Sequence, residues 1–155
     1  YAALDLPYEP VAALALIRQH VGARRDIALI GSSLGGFLAT CVAEQLGCRA
    51  CLINPAVAPH TVLDKHLGRY YHPVRQQHYE VRAEHLPLLQ DLQVQQLRRP
   101  SQYLVLLQSG DEVLDYRQAL DFYQQCQTDV QEGGDHSYQG YANRLPDIVK
   151  FCQLA

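Results

Sequence analysis

The stretch DIALIGSSLGGFL, residues 26–38, decides the fold of this chain. It begins with a short apolar run, 26–30, of the kind that forms a strand buried on both faces. A Gly-Ser-Ser turn ends that run, and from Leu34 onward the apolar residues recur at helical spacing. The stretch therefore predicts a buried strand, a tight turn and a helix in direct succession.

The same turn matches the pattern Gly-x-Ser-x-Gly, with Ser33 at its centre. In a nucleophile elbow the serine lies on a strained turn between strand and helix, which exposes its hydroxyl at the carboxyl edge of the sheet. We expect glycine at Gly31 and Gly35 because neighbouring backbone approaches closely there. The backbone N–H of Leu34 would face the oxyanion of a tetrahedral intermediate, forming the oxyanion hole. The alternative is a helix cap or a phosphate-binding turn.

Short apolar segments alternate with helical ones along the rest of the chain. We expect further buried strands over 50–53, 103–107 and 128–131, and helices over 10–20, 34–47 and 115–125 and at the end of the chain. This alternation predicts an α/β fold with a mostly parallel sheet flanked by helices. Residues 58–100 hold five of the seven histidines and no strand signal. We interpret them as a helical cap inserted into a single domain, 1–155.

A serine nucleophile needs a base and an acid that orients the base. In this architecture the three follow one another as Ser, Asp, His, each on a loop at a strand end. Asp111 lies on the loop after the strand at 103–107, and His136 follows two glycines after the strand at 128–131. The order and the positions together favour Ser33, Asp111 and His136 as a catalytic triad.

Three other carboxylates lie near these positions. Asp115 is the alternative acid, but its spacing to Gln118 at a helix start is typical of a capping box. Glu112 directly follows Asp111 and is expected to face elsewhere, into solvent. Asp135 adjoins the histidine along the chain and is also expected to be solvated.

With these residues in place, the chain resembles the YqiA-type esterases, small bacterial proteins with the α/β-hydrolase fold. The resemblance extends over nearly all of the chain and is specific in four stretches: GSSLGG at 31–36, INPAV at 53–57, QSGDEVLDYRQ at 108–118 and EGGDHS at 132–137. It implies Ser33 as nucleophile, Asp111 as orienting acid and His136 as base.

The family's pattern also includes an N-terminal strand and a His-Gly-Phe loop that donates a second N–H to the oxyanion. The 155 residues contain no such segment before the predicted strand at 26–30. Without a neighbour, that strand would leave buried backbone groups unpaired, at about 1–3 kcal/mol each. We therefore expect the natural protein to carry a few dozen more residues upstream.

Charge and composition exclude several other functions. Thirteen basic and sixteen acidic side chains give a net charge of −3, and no basic run exceeds a doublet, so we expect no nucleic-acid partner. The longest apolar run, 11–17, is too short to span a bilayer, so we expect no membrane segment. Five cysteines, an odd number scattered through apolar segments, favour a reduced, cytoplasmic chain.

Two further patterns could bind metal, and neither is well supported. Cys48 and Cys51 form a Cys-x-x-Cys, but no second pair accompanies them. The histidines between 60 and 85 recur about every six residues, which places them on different helix faces, and no His-x-x-x-His occurs. We expect no metal and no cofactor.

The sequence thus predicts a serine esterase or thioesterase that forms an acyl-enzyme. The segment 58–100 lacks a long apolar stretch suited to a lipid interface, which favours short-to-medium acyl substrates. The alternative is a non-catalytic or truncated protein of the same fold that acts as a binding module.

Overall fold

The structure, a computed structural model, describes residues 1–154, which form two compact units. We call residues 23–57 and 94–154 the sheet unit. Residues 1–22 and 58–93 form the second, which we call the hairpin unit after the strand pair it contains. All residues of the proposed triad belong to the sheet unit.

Within the sheet unit, the helices and strands follow the predicted order. In chain order they are α1 (Pro10–Val21), β1 (Ala28–Ser32), α2 (Leu34–Leu46), β2 (Arg49–Ile53), α3 (Pro59–Leu63), β3 (Gly68–His72), β4 (Gln77–Val81), α4 (His85–Leu92), β5 (Tyr103–Gln108), α5 (Tyr116–Phe122), β6 (Gln127–Gln131) and α6 (Tyr141–Cys152). Two short 3-10 helices lie at Asp64–His66 and Pro100–Gln102. Within residues 1–154, no helix is both long and apolar enough to cross a membrane.

The sheet unit is built on a four-stranded sheet in the order β1-β2-β5-β6, with every pair parallel. The registers bring Ser32 opposite Ile53 and Gln108 opposite Gln131, so the strands end at one common edge. The loops that leave this edge carry the residues of the proposed site. The predicted parallel α/β architecture is confirmed.

Helices cover both faces of this sheet, which explains why its strands have continuous apolar sequences. On one face Leu52 packs in a buried cluster with Ala39 of α2 and Tyr123, which follows α5. On the other face Cys51 belongs to a second cluster with Ile148 of α6. Successive residues of β2 therefore point into different halves of the core.

The segment predicted as an inserted helical cap, residues 58–100, also contains strands. It does contain helices, including α3 and α4, but β3 and β4 form an antiparallel pair that we did not predict. Three of the five residues in each strand are exposed and none is fully buried, so no buried apolar run marks them. The pair is supported instead by directly opposed tyrosines, Tyr70 and Tyr79, with ring centroids 5.6 Å apart.

Candidate active site

Ser33 lies between the last residue of β1 and the first residue of α2, in a strained backbone conformation. Its φ of 55° and ψ of −122° cost a residue with a side chain about 1–3 kcal/mol. Four backbone hydrogen bonds hold it: its N–H donates to Ile53 O, and its carbonyl accepts from the N–H groups of Gly36, Phe37 and Ala56. Ser33 is therefore fixed on a strained, hydrogen-bonded turn between strand and helix.

One of the two glycines predicted to be required by close packing is so required, and the other is not. A Cβ on Gly31 would lie 2.3 Å from the carbonyl oxygen of Gly35, so close approach of backbone requires glycine at 31, as expected. A Cβ on Gly35 itself would meet no atom within 4 Å, so the predicted close approach at that position is wrong. The second position without room for a side chain is Gly36, where a Cβ would lie 2.7 Å from Cβ of Pro55.

The structure brings the three predicted site residues into one hydrogen-bonded chain. Nε2 of His136 lies 2.9 Å from Oγ of Ser33, and Nδ1 of the same ring lies 2.9 Å from each carboxylate oxygen of Asp111. A carboxylate only accepts, so Nδ1 carries the proton and Nε2 is left to accept from the serine hydroxyl. This is the arrangement in which an imidazole can remove a serine proton.

The side chain of Asp111 is more deeply buried than that of His136. Its carboxylate is 1% exposed, whereas the imidazole of His136 is 21% exposed. Oδ1 also accepts hydrogen bonds of 2.9 Å from the backbone N–H groups of Val113 and Leu114. Hydrogen bonds within its own loop therefore hold the carboxylate in place, in addition to its contact with the ring.

Leu34 is the first residue of α2 and immediately follows the serine. The first N–H groups of a helix have no carbonyl of the same helix to bond, and the helix dipole makes this end positive. The backbone N–H of Leu34 lies at this end of α2, directly after Ser33.

Two nearby carboxylates accept hydrogen bonds that were not predicted, although Glu112 is exposed as expected. Oε2 of Glu112 accepts a hydrogen bond of 2.9 Å from the backbone N–H of His136. Asp135 is half-buried, and its carboxylate accepts from the N–H of Ser137 and from the side chain of Gln139. Both predictions missed these contacts because short loops fold back and supply backbone donors to acidic side chains. Asp115 accepts from the N–H of Arg117 and caps α5, as predicted.

Two buried amides at the same edge were not predicted as site residues. Asn54 follows β2 and Gln108 ends β5, and their exposed fractions are 2% and 3%. The signal was available in the sequence: each is a polar residue at the carboxyl end of an otherwise apolar strand. Buried amides at such positions require specific partners.

The cysteine and histidine patterns considered as metal sites do not form a metal-binding group in the part of the chain that the structure describes. Within residues 1–154, no group of three or more His, Cys, Asp or Glu side chains is placed to hold a metal ion. Cys48 and Cys51 are both buried free thiols. Burial raises the pKa of the Cys51 thiol to about 12, so at neutral pH it is a protonated core residue.

A family model described as "Uncharacterised protein family (UPF0227)" matches residues 1–153. The chain belongs to this family. The match covers all four stretches on which the resemblance to the YqiA-type proteins was based, and it confirms that resemblance.

Solved structures of the α/β-hydrolase fold resemble this member of UPF0227 at low sequence identity. Mouse α/β hydrolase domain-containing protein 10 has a TM-score of 0.65 at 16% identity, over 94% of this chain and 68% of that one. The esterase domain of a Rhodothermus marinus protein has a TM-score of 0.61 at 19% identity, over 92% and 65%. An α/β serine hydrolase homologue from Coxiella burnetii has a TM-score of 0.55 at 20% identity, over 99% and 62%.

These likenesses establish the α/β-hydrolase fold of the UPF0227 chain. The chain spans about two thirds of the length of each of the three structures.

Proposed function

We propose that this UPF0227 protein is a serine hydrolase that cleaves acyl esters or thioesters through an acyl-enzyme. The observation that carries the proposal is the position of the His136 ring, with Nε2 2.9 Å from Oγ of Ser33 and Nδ1 on the carboxylate of Asp111. The likeness to structures named as an esterase domain and a serine hydrolase homologue supports the same chemistry.

In the acylation step, Oγ of Ser33 attacks the acyl carbonyl carbon while Nε2 of His136 takes the hydroxyl proton. The carbonyl oxygen becomes an oxyanion and accepts a hydrogen bond from the N–H of Leu34. The carboxylate of Asp111 stabilises the imidazolium that forms. The imidazolium then donates its proton to the leaving alkoxide or thiolate, and the acyl group stays on Ser33 as an ester.

In the deacylation step, a water molecule attacks the acyl carbon and gives a proton to Nε2 of His136. The second tetrahedral intermediate collapses, the proton returns to Oγ of Ser33, and the carboxylic acid leaves. Both steps balance with the substrate, one water molecule and the three side chains. A cytoplasmic setting belongs to this proposal and is supported by the five free cysteines.

The test is hydrolysis of p-nitrophenyl esters of acetate, butyrate, octanoate and palmitate, together with an acyl thioester. Ser33→Ala should reduce kcat by at least about 10³-fold, because the nucleophile is lost. Ser32→Ala is the matched control: Ser32 is the neighbouring, exposed serine, and its loss should leave the rate unchanged. Equal rates for Ser33→Ala and the unaltered chain would contradict the proposal. A preference for palmitate would contradict the short-to-medium substrate range.

A further inference from the structure

Two buried amide side chains, Asn54 and Gln108, lie against the loop that carries His136. Five of their hydrogen bonds go to the backbone of residues 135–139, which includes His136 and residues on both sides of it.

Asn54 connects the end of β2 to the histidine loop and to β5. Its Nδ2 donates to the carbonyl oxygens of Asp135 and His136, at 3.0 and 3.2 Å. Its Oδ1 accepts a hydrogen bond of 3.0 Å from the backbone N–H of Gln108. Only this orientation of the amide places donors opposite carbonyls and the acceptor opposite an N–H. The backbone of Asn54 is itself held in a left-handed conformation, with φ of 40°.

Gln108 uses every donor and acceptor of its amide. Oε1 accepts from the backbone N–H groups of Asp135 and Gln139, at 3.2 and 2.8 Å. Nε2 donates to the carbonyl oxygen of Gln139 at 2.7 Å and to Oε1 of Gln131 at 3.0 Å. A buried amide with all four hydrogen bonds formed has a single favourable position.

The packing around Gln108 leaves no room for a side chain in the loop before the histidine. A Cβ on Gly134 would lie 2.0 Å from Oε1 of Gln108, at a residue whose φ is 72°. The second glycine of the Gly-Gly-Asp-His sequence is therefore required for the amide of Gln108 to reach the loop.

We propose that Asn54 and Gln108 form an amide clamp that positions the imidazole of His136 between Ser33 and Asp111. They are positioning residues, since they act on the loop backbone and not on substrate. The catalytic part of this inference rests on the proposed hydrolase function, while the structural part, the placement of the ring, does not.

The experiment compares Gln108→Met and Gln108→Glu with Gln102→Met. Methionine removes all four hydrogen bonds of the amide at similar length, and glutamate keeps the two that Oε1 accepts. Gln102 is the matched control: it immediately precedes β5, at the opposite end of that strand, and its Nε2 donates to the carbonyl of Gly47 at 3.0 Å. Thermal melting of each variant establishes that it is folded.

Three readouts are taken: kcat and KM on a p-nitrophenyl ester, the rate of Ser33 labelling by a fluorophosphonate, and the NMR resonance of the His136 Nδ1 proton. That resonance is assigned by its absence in His136→Ala. We expect Gln108→Met to lower kcat and the labelling rate by about 10- to 100-fold with little change in KM, since small displacements of a catalytic group have effects of this size. The Nδ1 resonance should broaden or vanish. Gln108→Glu should show a smaller loss, and Gln102→Met should leave all three readouts unchanged.

The outcomes separate this inference from the proposed function. If Gln108→Met folds and retains both the labelling rate and the Nδ1 resonance, the clamp is refuted. If Gln102→Met causes the same losses, the effect is general destabilisation and the clamp is again refuted. If Ser33 in the unaltered chain is not labelled but the resonance is present and is lost only in the Gln108 variants, the positioning role stands and the hydrolase proposal fails. Should Gln108→Met not fold, Gln108→Glu decides by the same readouts.

Discussion

Asp111 and His136 are 25 residues apart in the sequence, yet both carboxylate oxygens of Asp111 lie 2.9 Å from Nδ1 of His136. The carboxylate is almost fully buried, so water does not compete with the imidazole ring for the carboxylate oxygens. Because Nδ1 faces only acceptor atoms here, the proton lies on Nδ1 and Nε2 can accept from Ser33. This pair thus determines the tautomer on which the proposed mechanism depends.

The first prediction concerns that tautomer. Asp111→Asn replaces one oxygen by an NH₂ group, which can donate a hydrogen bond to Nδ1. The ring proton then lies on Nε2, so Nε2 can no longer accept the hydroxyl proton of Ser33. We expect kcat to fall by about 10⁴-fold, the effect of the same substitution in a characterised Ser-His-Asp protease. Ester hydrolysis measures it.

Asp115→Asn is the control for this substitution. Asp115 was the alternative acid, and its carboxylate caps α5. Asparagine caps a helix about as well as aspartate does, so neither activity nor stability should change. A loss of activity in Asp115→Asn equal to that in Asp111→Asn would contradict the assignment of the acid.

The second prediction concerns the two glycines before His136. Both have positive φ, 80° at Gly133 and 72° at Gly134, so alanine is strained at either position. A Cβ at 133 would meet no atom within 4 Å, whereas one at 134 would collide with the Gln108 amide. Gly134→Ala should therefore cost about 1–3 kcal/mol more stability than Gly133→Ala, as overpacking does. Urea denaturation of both variants measures the difference, and equal costs would contradict it.

The third prediction concerns the elbow. A Cβ at Gly36 would overlap Pro55, so Gly36→Ala should destabilise the chain by about 1–3 kcal/mol. Gly35 lies in the same helical turn with open space around it, so Gly35→Ala should be neutral or stabilise by up to about 1 kcal/mol through the better helix propensity of alanine. Chemical denaturation compares them. The opposite ranking would show that the glycine pattern of the motif reflects a constraint other than packing.

The fourth prediction concerns thiol chemistry. With a pKa of about 12, Cys51 has roughly one thiolate in 10⁴ at pH 8, and its side chain is fully buried. Iodoacetamide should leave Cys51 unmodified in the folded chain and modify it in guanidinium chloride, as peptide mass spectrometry can measure. Rapid modification of Cys51 under native conditions would show that β2 is exposed, which contradicts the fold described here.

Much of the sheet unit could be predicted from the sequence because its strands are buried on both faces. β5 is the clearest case: every residue from Tyr103 to Gln108 is buried, so the sequence is a continuous apolar run that ends in a polar residue. The hairpin of β3 and β4 could not be predicted in this way, because exposed strands have no apolar pattern and gain their stability from cross-strand pairs.

The site was predictable where local sequence determines local geometry. A serine between glycines after a strand and a histidine after two glycines both indicate an unusual backbone conformation at that position. The hydrogen-bond partners of Asn54 and Gln108 could not be predicted, because these partners lie on a loop distant in sequence that only the folded sheet brings close. The close approach at Gly36 likewise depends on Pro55, whose position next to α2 follows from strand order and not from the motif.

The most direct test of the central claim is reaction of the folded chain with a fluorophosphonate, followed by fragmentation of the modified peptide that contains both Ser32 and Ser33. We expect one stoichiometric adduct on Oγ of Ser33, which is lost in Ser33→Ala, reduced in His136→Ala and retained in Ser32→Ala. A folded chain without an adduct on Ser33, or with equal modification of Ser32, would contradict it.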